Sequence, residues 1–132
     1  MEEPGVPKKP EAVGLILCDK VHVDPSVGKM SLVGLFTSLR FPSFPTPIRP
    51  FTAYALLYGG EGEGRIRLEV KRADSEQPIY NQVLWRGFVP GLISTAEVKA
   101  ARCAFPSPGR YIVTLFFEEL IVAHTVLDVY KE

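Results

Sequence analysis

Apolar and polar residues alternate with a period of two along most of this chain. That is the pattern of strands with one face in a core and the other in water. The cleanest stretch is Arg65 to Lys71: Ile66, Leu68 and Val70 take the inner parity, and Arg65, Arg67, Glu69 and Lys71 the outer one. Val13, Leu15, Leu17, Val21 and Val23 share a parity and predict a first strand. Asp19 falls in that apolar register, which marks either a bulge or a buried carboxylate satisfied by backbone amides. Lys29 to Phe41 is almost continuously apolar from Met30 to Phe36 and predicts a central strand covered on both faces. Phe51–Tyr58, Ile79–Val89, Thr95–Phe105, a run from Tyr111 to Phe117 and a last run from Ile121 to Val129 complete the strand set.

Turn chemistry separates these runs. Asp24-Pro25-Ser26-Val27-Gly28, Gly59 to Gly64 and Ala73 to Pro78 are rich in residues that preset or free backbone dihedrals. Pro42, Pro45, Pro47 and Pro50 cannot serve a hydrogen-bonded ladder, so Phe41–Pro50 reads as an extended connection crossing between sheets. A proline-motif ligand is the functional alternative there, but the interleaved phenylalanines look like loop anchors. No amphipathic helix is evident, although Pro90–Lys99 is compatible with a short one. The expectation is an all-β, antiparallel β-sandwich of about seven to eight strands. Residues 1–12 form a Pro- and charge-rich tail expected to stay disordered, and 13–132 form a single domain.

The local stretch with most information is Pro108-Gly109-Arg110-Tyr111. A Pro-Gly turn delivers a tyrosine onto the inner parity of Val113, Leu115 and Phe117. In many sandwiches a tyrosine placed so bonds back to the preceding corner.

Charge narrows the partners. Fifteen basic residues balance fifteen acidic ones in a chain of 132, so there is no basic footprint for nucleic acid. No apolar run approaches a membrane span. The N-terminus carries acids and prolines without an apolar core, unlike a signal peptide, so a cytoplasmic location is expected. Cys18 and Cys103 then read as reduced, buried thiols, with one inter-sheet disulfide as the alternative.

Several stretches together resemble a family of small bacterial proteins, a domain of unknown function with an immunoglobulin-like β-sandwich. They are Leu17-Cys18-Asp19-Lys20, Gly28 through Phe36, Phe44-Pro45, Gly59-Gly60-Glu61-Gly62, and Phe105 through Tyr111. The resemblance covers nearly the whole chain after the tail. It implies a fold and carries no activity across. The Cys–Trp–Cys spacing of antibody domains is absent, with Trp85 late in the chain.

Catalytic and cofactor motifs are thin, and no cofactor or metal is expected. Gly28-Lys29-Met30-Ser31 lacks both the first glycine and the helix of a phosphate-binding loop. His22 and His124 on the first and last strands would approach each other in a sandwich, with Asp24 nearby, yet their spacing is no established ligand set. Of the carboxylates Asp19, Asp24, Asp74, Glu118 and Glu119, which a glycoside hydrolase would use in a pair, most sit at turns, and Asp19 is the one whose environment sets it apart.

One feature exceeds what a plain sandwich needs. Tyr54, Leu56 and Tyr58 share the outer parity of one strand. Ile112, Thr114 and Phe116 share that of another, and Val122, His124 and Val126 that of the last. In an immunoglobulin-like arrangement these three strands are expected to be neighbours in one sheet, so that these residues form one apolar and aromatic face, which a stable monomer rarely exposes. The pattern allows three outcomes. The chain's own loops cover the face; or it mediates assembly with a second copy or another protein; or it is a carbohydrate or small-ligand platform with Tyr54, Tyr58 and Trp85 stacking on sugar rings. The expected function is therefore non-enzymatic binding or assembly through that face. A carbohydrate or small-ligand module is the alternative, and a hydrolase using Asp19 the third reading.

Overall fold

The computed structural model describes residues 6–132. Ten strands run in order: β1 (Glu11–Cys18), β2 (Lys20–Val23), β3 (Met30–Val33), β4 (Ser38–Phe41), β5 (Phe51–Tyr58), β6 (Gly62–Arg72), β7 (Pro78–Phe88), β8 (Ser94–Ala100), β9 (Gly109–Phe117) and β10 (Leu120–Lys131). A three-stranded sheet of order β1-β5-β8 faces a five-stranded sheet of order β4-β10-β9-β6-β7, and β2 and β3 form a separate hairpin. All pairings are antiparallel except β4 with β10, which is parallel.

The core fills the space between the two inner faces. Ala53, Ala55, Ala96 and Ala100 keep the inner face of β5 and β8 shallow. This leaves room for bulky residues from the opposite sheet: Ile66, Leu68, Val70, Tyr111, Leu115, Phe117 and Leu127, all 1% exposed or less. The inner parity expected for β6 is the one observed.

Four expectations need correction. The first predicted strand is two strands, because the chain leaves the sheet at Asp19, whose N–H donates to the carbonyls of Val33 and Gly34. The bulge lies earlier, between Val13 and Ile16. There Gly14 adopts φ +72°, a left-handed backbone that glycine takes without steric cost. The predicted central strand Lys29–Phe41 is likewise split at Gly34, φ +72°, into the hairpin strand β3 and the short edge strand β4. Its apolar residues divide accordingly: Phe36, Leu39 and Phe41 pack on the core, while Met30, Val33 and Leu35 stay exposed.

The third correction concerns the tail. Lys8 and Glu61 exchange both backbone hydrogen bonds, and Glu11 already pairs with Tyr58, so the described part of residues 1–12 is docked. Met1 to Gly5 lie outside the described residues. Fourth, Pro90–Lys99 holds no helix: Val89-Pro90-Gly91-Leu92 is a turn closed by Leu92 N–H on the Val89 carbonyl, and β8 comes next.

The Pro-rich segment after β4 crosses from one sheet to the other, as its composition predicts. It is held to the loop after β8 by Thr46 N–H on the Phe105 carbonyl at 2.9 Å, Phe105 N–H on Thr46 Oγ1 at 2.9 Å, and Arg49 N–H on the Cys103 carbonyl at 2.7 Å. Phe44 stacks edge-on against Phe41, and Phe41 and Tyr111 flank Phe105, so both phenylalanines of the loop do act as anchors.

Candidate functional site

The predicted patch does not form one face. β5 pairs with β1 and β8, whereas β9 and β10 lie in the other sheet, so Tyr54, Leu56 and Tyr58 are on the opposite side of the molecule from Ile112 and Phe116. Outer parity is a local property, but sheet membership depends on long-range pairing that the alternation does not encode.

On the three-stranded sheet, Val13, Ile16, Tyr54, Leu56 and Tyr58 share the outer face. The β2–β3 hairpin leans toward it: the Tyr54 hydroxyl lies 3.6 Å from Met30 Sδ. Tyr54 and Leu56 are half-buried, while Val13 and Tyr58 are exposed.

On the five-stranded sheet the outer face is organised by Arg67. Its guanidinium sits 4.1 Å over the Phe116 ring and ion-pairs with Glu69 at 3.0 Å and Glu119 at 3.0 Å. Arg67 also donates to Asn81 Oδ1 at 2.8 Å. Phe116 is thus capped by a cation rather than presented to a partner. A second bulge, between Ile121 and Ala123, shifts the parity of β10. Ile121 is outward opposite Phe116, and Val122 turns toward the core, the reverse of the simple alternation. His124 and Val126 remain on the outer face, opposite Thr114 and Ile112.

Beside them, Thr37, Ser38, Arg110, His124, Asp128 and Tyr130 line a shallow groove of about 620 Å³. Its strongest polar groups are already paired, Arg110 with Asp128 at 2.8 and 3.1 Å. Arg40 lies 5.0 Å from the centroid of the Tyr130 ring.

The histidines do not meet. His22 is on the β2–β3 hairpin opposite Ser31, and His124 is on β10. Among the described residues no three His, Cys, Asp or Glu side chains converge. Asp19 is exposed rather than buried, and its carboxylate is held by Arg49 at 2.8 Å. Cys18 and Cys103 are both buried and unbridged. Trp85 lies on the five-stranded sheet, so it cannot share a stacking platform with Tyr54 and Tyr58.

The corner stands as expected. Tyr111 is fully buried, and its hydroxyl donates to the Ser107 carbonyl at 2.6 Å. Arg72 clamps the same turn through Ser107 Oγ and the Pro108 carbonyl, with its charge answered by Asp74 at 2.9 Å. A side chain at Gly109 (φ +145°) would meet that guanidinium at 2.8 Å, which explains the glycine.

What the alternation pattern does not single out is β7. This strand is eleven residues long and, among the described residues, has a partner, β6, on one side only. Outward along it stand Val83 at 46% exposure and Trp85 at 63%. The turn that ends it exposes Val89, Leu92 and Ile93 at 61 to 69%. The signal was present as an uncharged run from Ile79 to Trp85, but an edge cannot be told from a centre without the pairing.

A family model described as a family of unknown function matches residues 14–130, almost all of the domain. The chain belongs to the DUF6941 family. No curated protein matches it. Among solved structures it is similar to an immunoglobulin-like protein from Pseudomonas aeruginosa, with 16% identity over 92% of this chain and 97% of that one, at a TM-score of 0.47. The strand order of this DUF6941 member supports the immunoglobulin-like description by itself. Two facing sheets, a Greek-key order and a tyrosine corner on the penultimate strand are the marks of that sandwich. In that order the second long strand belongs with the first, which is why β5 is not beside β9 and β10.

Proposed function

We propose that this protein works without catalysis, as a binding or assembly module whose contact surface is the open β7 edge of the five-stranded sheet. The observation that carries the reading is the exposure of Trp85, 63%, beside Val83 on an edge strand. A tryptophan is the residue most enriched at the centres of protein contacts, and a free strand edge offers main-chain donors and acceptors to an incoming strand. The other surfaces support it less. Phe116 is capped by Arg67, and the groove beside β10 has its charges paired internally. Two unbridged buried thiols agree with a reducing compartment such as the cytoplasm.

Trp85 is the single tryptophan, so its emission reports on this edge alone. Engagement of a protein partner shifts that emission to the blue and lowers quenching by acrylamide. Trp85→Lys removes association seen by native mass, with partners retained from lysate or with other copies, and leaves the β-sheet circular dichroism unchanged. Association that is identical in wild type and Trp85→Lys would overturn the reading.

A further inference from the structure

The four edges of the two facing sheets are not equally guarded among the described residues. Strand β1 is bulged at Gly14 and preceded by Pro10. Strand β4 is four residues long and followed by Pro42. Strand β8 carries Glu97 and Lys99 on its outer parity. Bulges, prolines, brevity and charge are the devices by which proteins keep strand edges from pairing. Strand β7 has its proline and its bulge at its start, where Pro78 begins the strand and Ile79 is the bulged residue against β6. From Tyr80 to Phe88 its pairing with β6 is unbroken, and Arg86 is the one charged residue.

That free stretch is complementary to itself. We infer that β7 pairs antiparallel with β7 of a second copy about a two-fold axis at Leu84, joining two five-stranded sheets into one continuous sheet. This specifies the partner of the binding edge proposed above and rests on that reading. Leu84 is the midpoint of Tyr80–Phe88. In this register Val83 meets Trp85, Gln82 meets Arg86, and Tyr80 meets Phe88, each pair occurring twice. These are aliphatic–aromatic, amide–cation and aromatic–aromatic cross-strand pairs, and no like charges oppose each other. The zero net charge of the chain opposes no approach of a second copy. Because the contact is isologous and uses up the same edge on both copies, it closes at two copies rather than growing into a filament.

Sedimentation velocity on the intact chain is the test, run from about 1 µM to about 500 µM, since one strand pair lies at the small end of stable interfaces. The expected result is a concentration-dependent shift from the 14.6 kDa monomer to a species twice that mass. Val83→Lys abolishes the shift, and Ile16→Lys, on the outer face of the other sheet, leaves it intact. Circular dichroism confirms that both variants fold, as expected for residues 46% and 41% exposed. Under mild oxidation Leu84→Cys yields a disulfide-linked dimer, and the buried native thiols do not compete.

A wild-type chain that stays monomeric throughout overturns the self-pairing, while the binding edge is then judged by the Trp85→Lys comparison with other partners. A dimer lost in Ile16→Lys but kept in Val83→Lys overturns both. A dimer that Leu84→Cys fails to cross-link overturns the two-fold register.

Discussion

The hydroxyl of Tyr111 donates a 2.6 Å hydrogen bond to the backbone carbonyl of Ser107, across the corner that leads into β9. Tyr111 is fully buried and Ser107 half-buried, and the tyrosine ring packs edge-on to Phe105 at 5.2 Å. Tyr111→Phe keeps the ring and deletes the bond, leaving the Ser107 carbonyl short of a partner. The expected cost is about 1 to 2 kcal/mol. It is measured as a lower urea midpoint at constant m-value, and an unchanged midpoint would show that the corner bond contributes nothing.

Gly34→Ala should be more damaging than an exposed position suggests. The backbone there is left-handed, and a Cβ would lie 2.2 Å from Asp19 Oδ2 and 3.1 Å from Asp19 Cβ. Relief requires Asp19 to move off Arg49 and the β2–β3 hairpin to shift. A loss of about 1 to 2 kcal/mol is expected from backbone strain alone. Proteolysis is expected to begin at the hairpin, and resistance of the variant there equal to wild type would count against this account.

The thiols should be silent in the native state. Burial pushes Cys103 up to about 12, and it also raises Cys18, with the charges of Asp19 and Glu97 adding to the effect. The thiolate is the reactive form, so neither cysteine should react with an aromatic disulfide reagent at pH 8 until the protein unfolds. Rapid labelling of one thiol in folded protein contradicts the buried assignment.

Acid should weaken the fold in a defined window. Side-chain hydrogen bonds from Arg110, Arg72 and Arg67 hold Asp128, Asp74 and Glu119 below the ordinary carboxylate range. A carboxylate whose pKa falls on folding stabilises the native state above its unfolded value of about 4. That contribution is lost as pH drops through the folded value. Stability from these groups is therefore level between about pH 6 and 8 and declines below about pH 4. They are largely solvent-facing, so added salt shrinks the decline, and Arg110→Gln removes the share due to Asp128. An acid limb identical in Arg110→Gln would show that the pair is inert.

Much of the fold was legible because alternation and turn chemistry are local. Arg65–Lys71 reads out the inner face of β6 residue by residue, and Pro108 to Tyr111 announces the corner. The errors arise where one residue changes the register or the path. The bulge at Gly14 leaves Val13 facing outward while Leu15 and Leu17 keep the inner face, and the bulge after Ile121 leaves Ile121 outward and turns Val122 inward while His124 and Val126 keep the outer face. Gly34 breaks an apolar run that looks like a single central strand. The assignment of Tyr54, Leu56 and Tyr58 to the same face as Phe116 failed for a different reason. Which sheet β5 joins depends on partners some forty residues away, and no local pattern carries that information. The β7 edge was hidden in the same way, since Trp85 alternates like any half-buried residue until its missing neighbour is known.

The parallel pairing of β4 with β10 has a consequence for how the chain is made. It joins residues 38–41 to residues 128–131, across about two thirds of the sequence. Strand β10 also supplies the partner that covers one side of β9. A ribosome releasing this protein from its N-terminus therefore emits nine strands before the sheet that needs the tenth can close. Until β10 has left the exit tunnel, the inner side chains of β9, Tyr111 and Leu115 among them, lack one flank of their shelter. Closure of this sheet therefore waits on the synthesis of β10, and a nascent chain stalled short of Leu120 is exposed to chaperones and proteases.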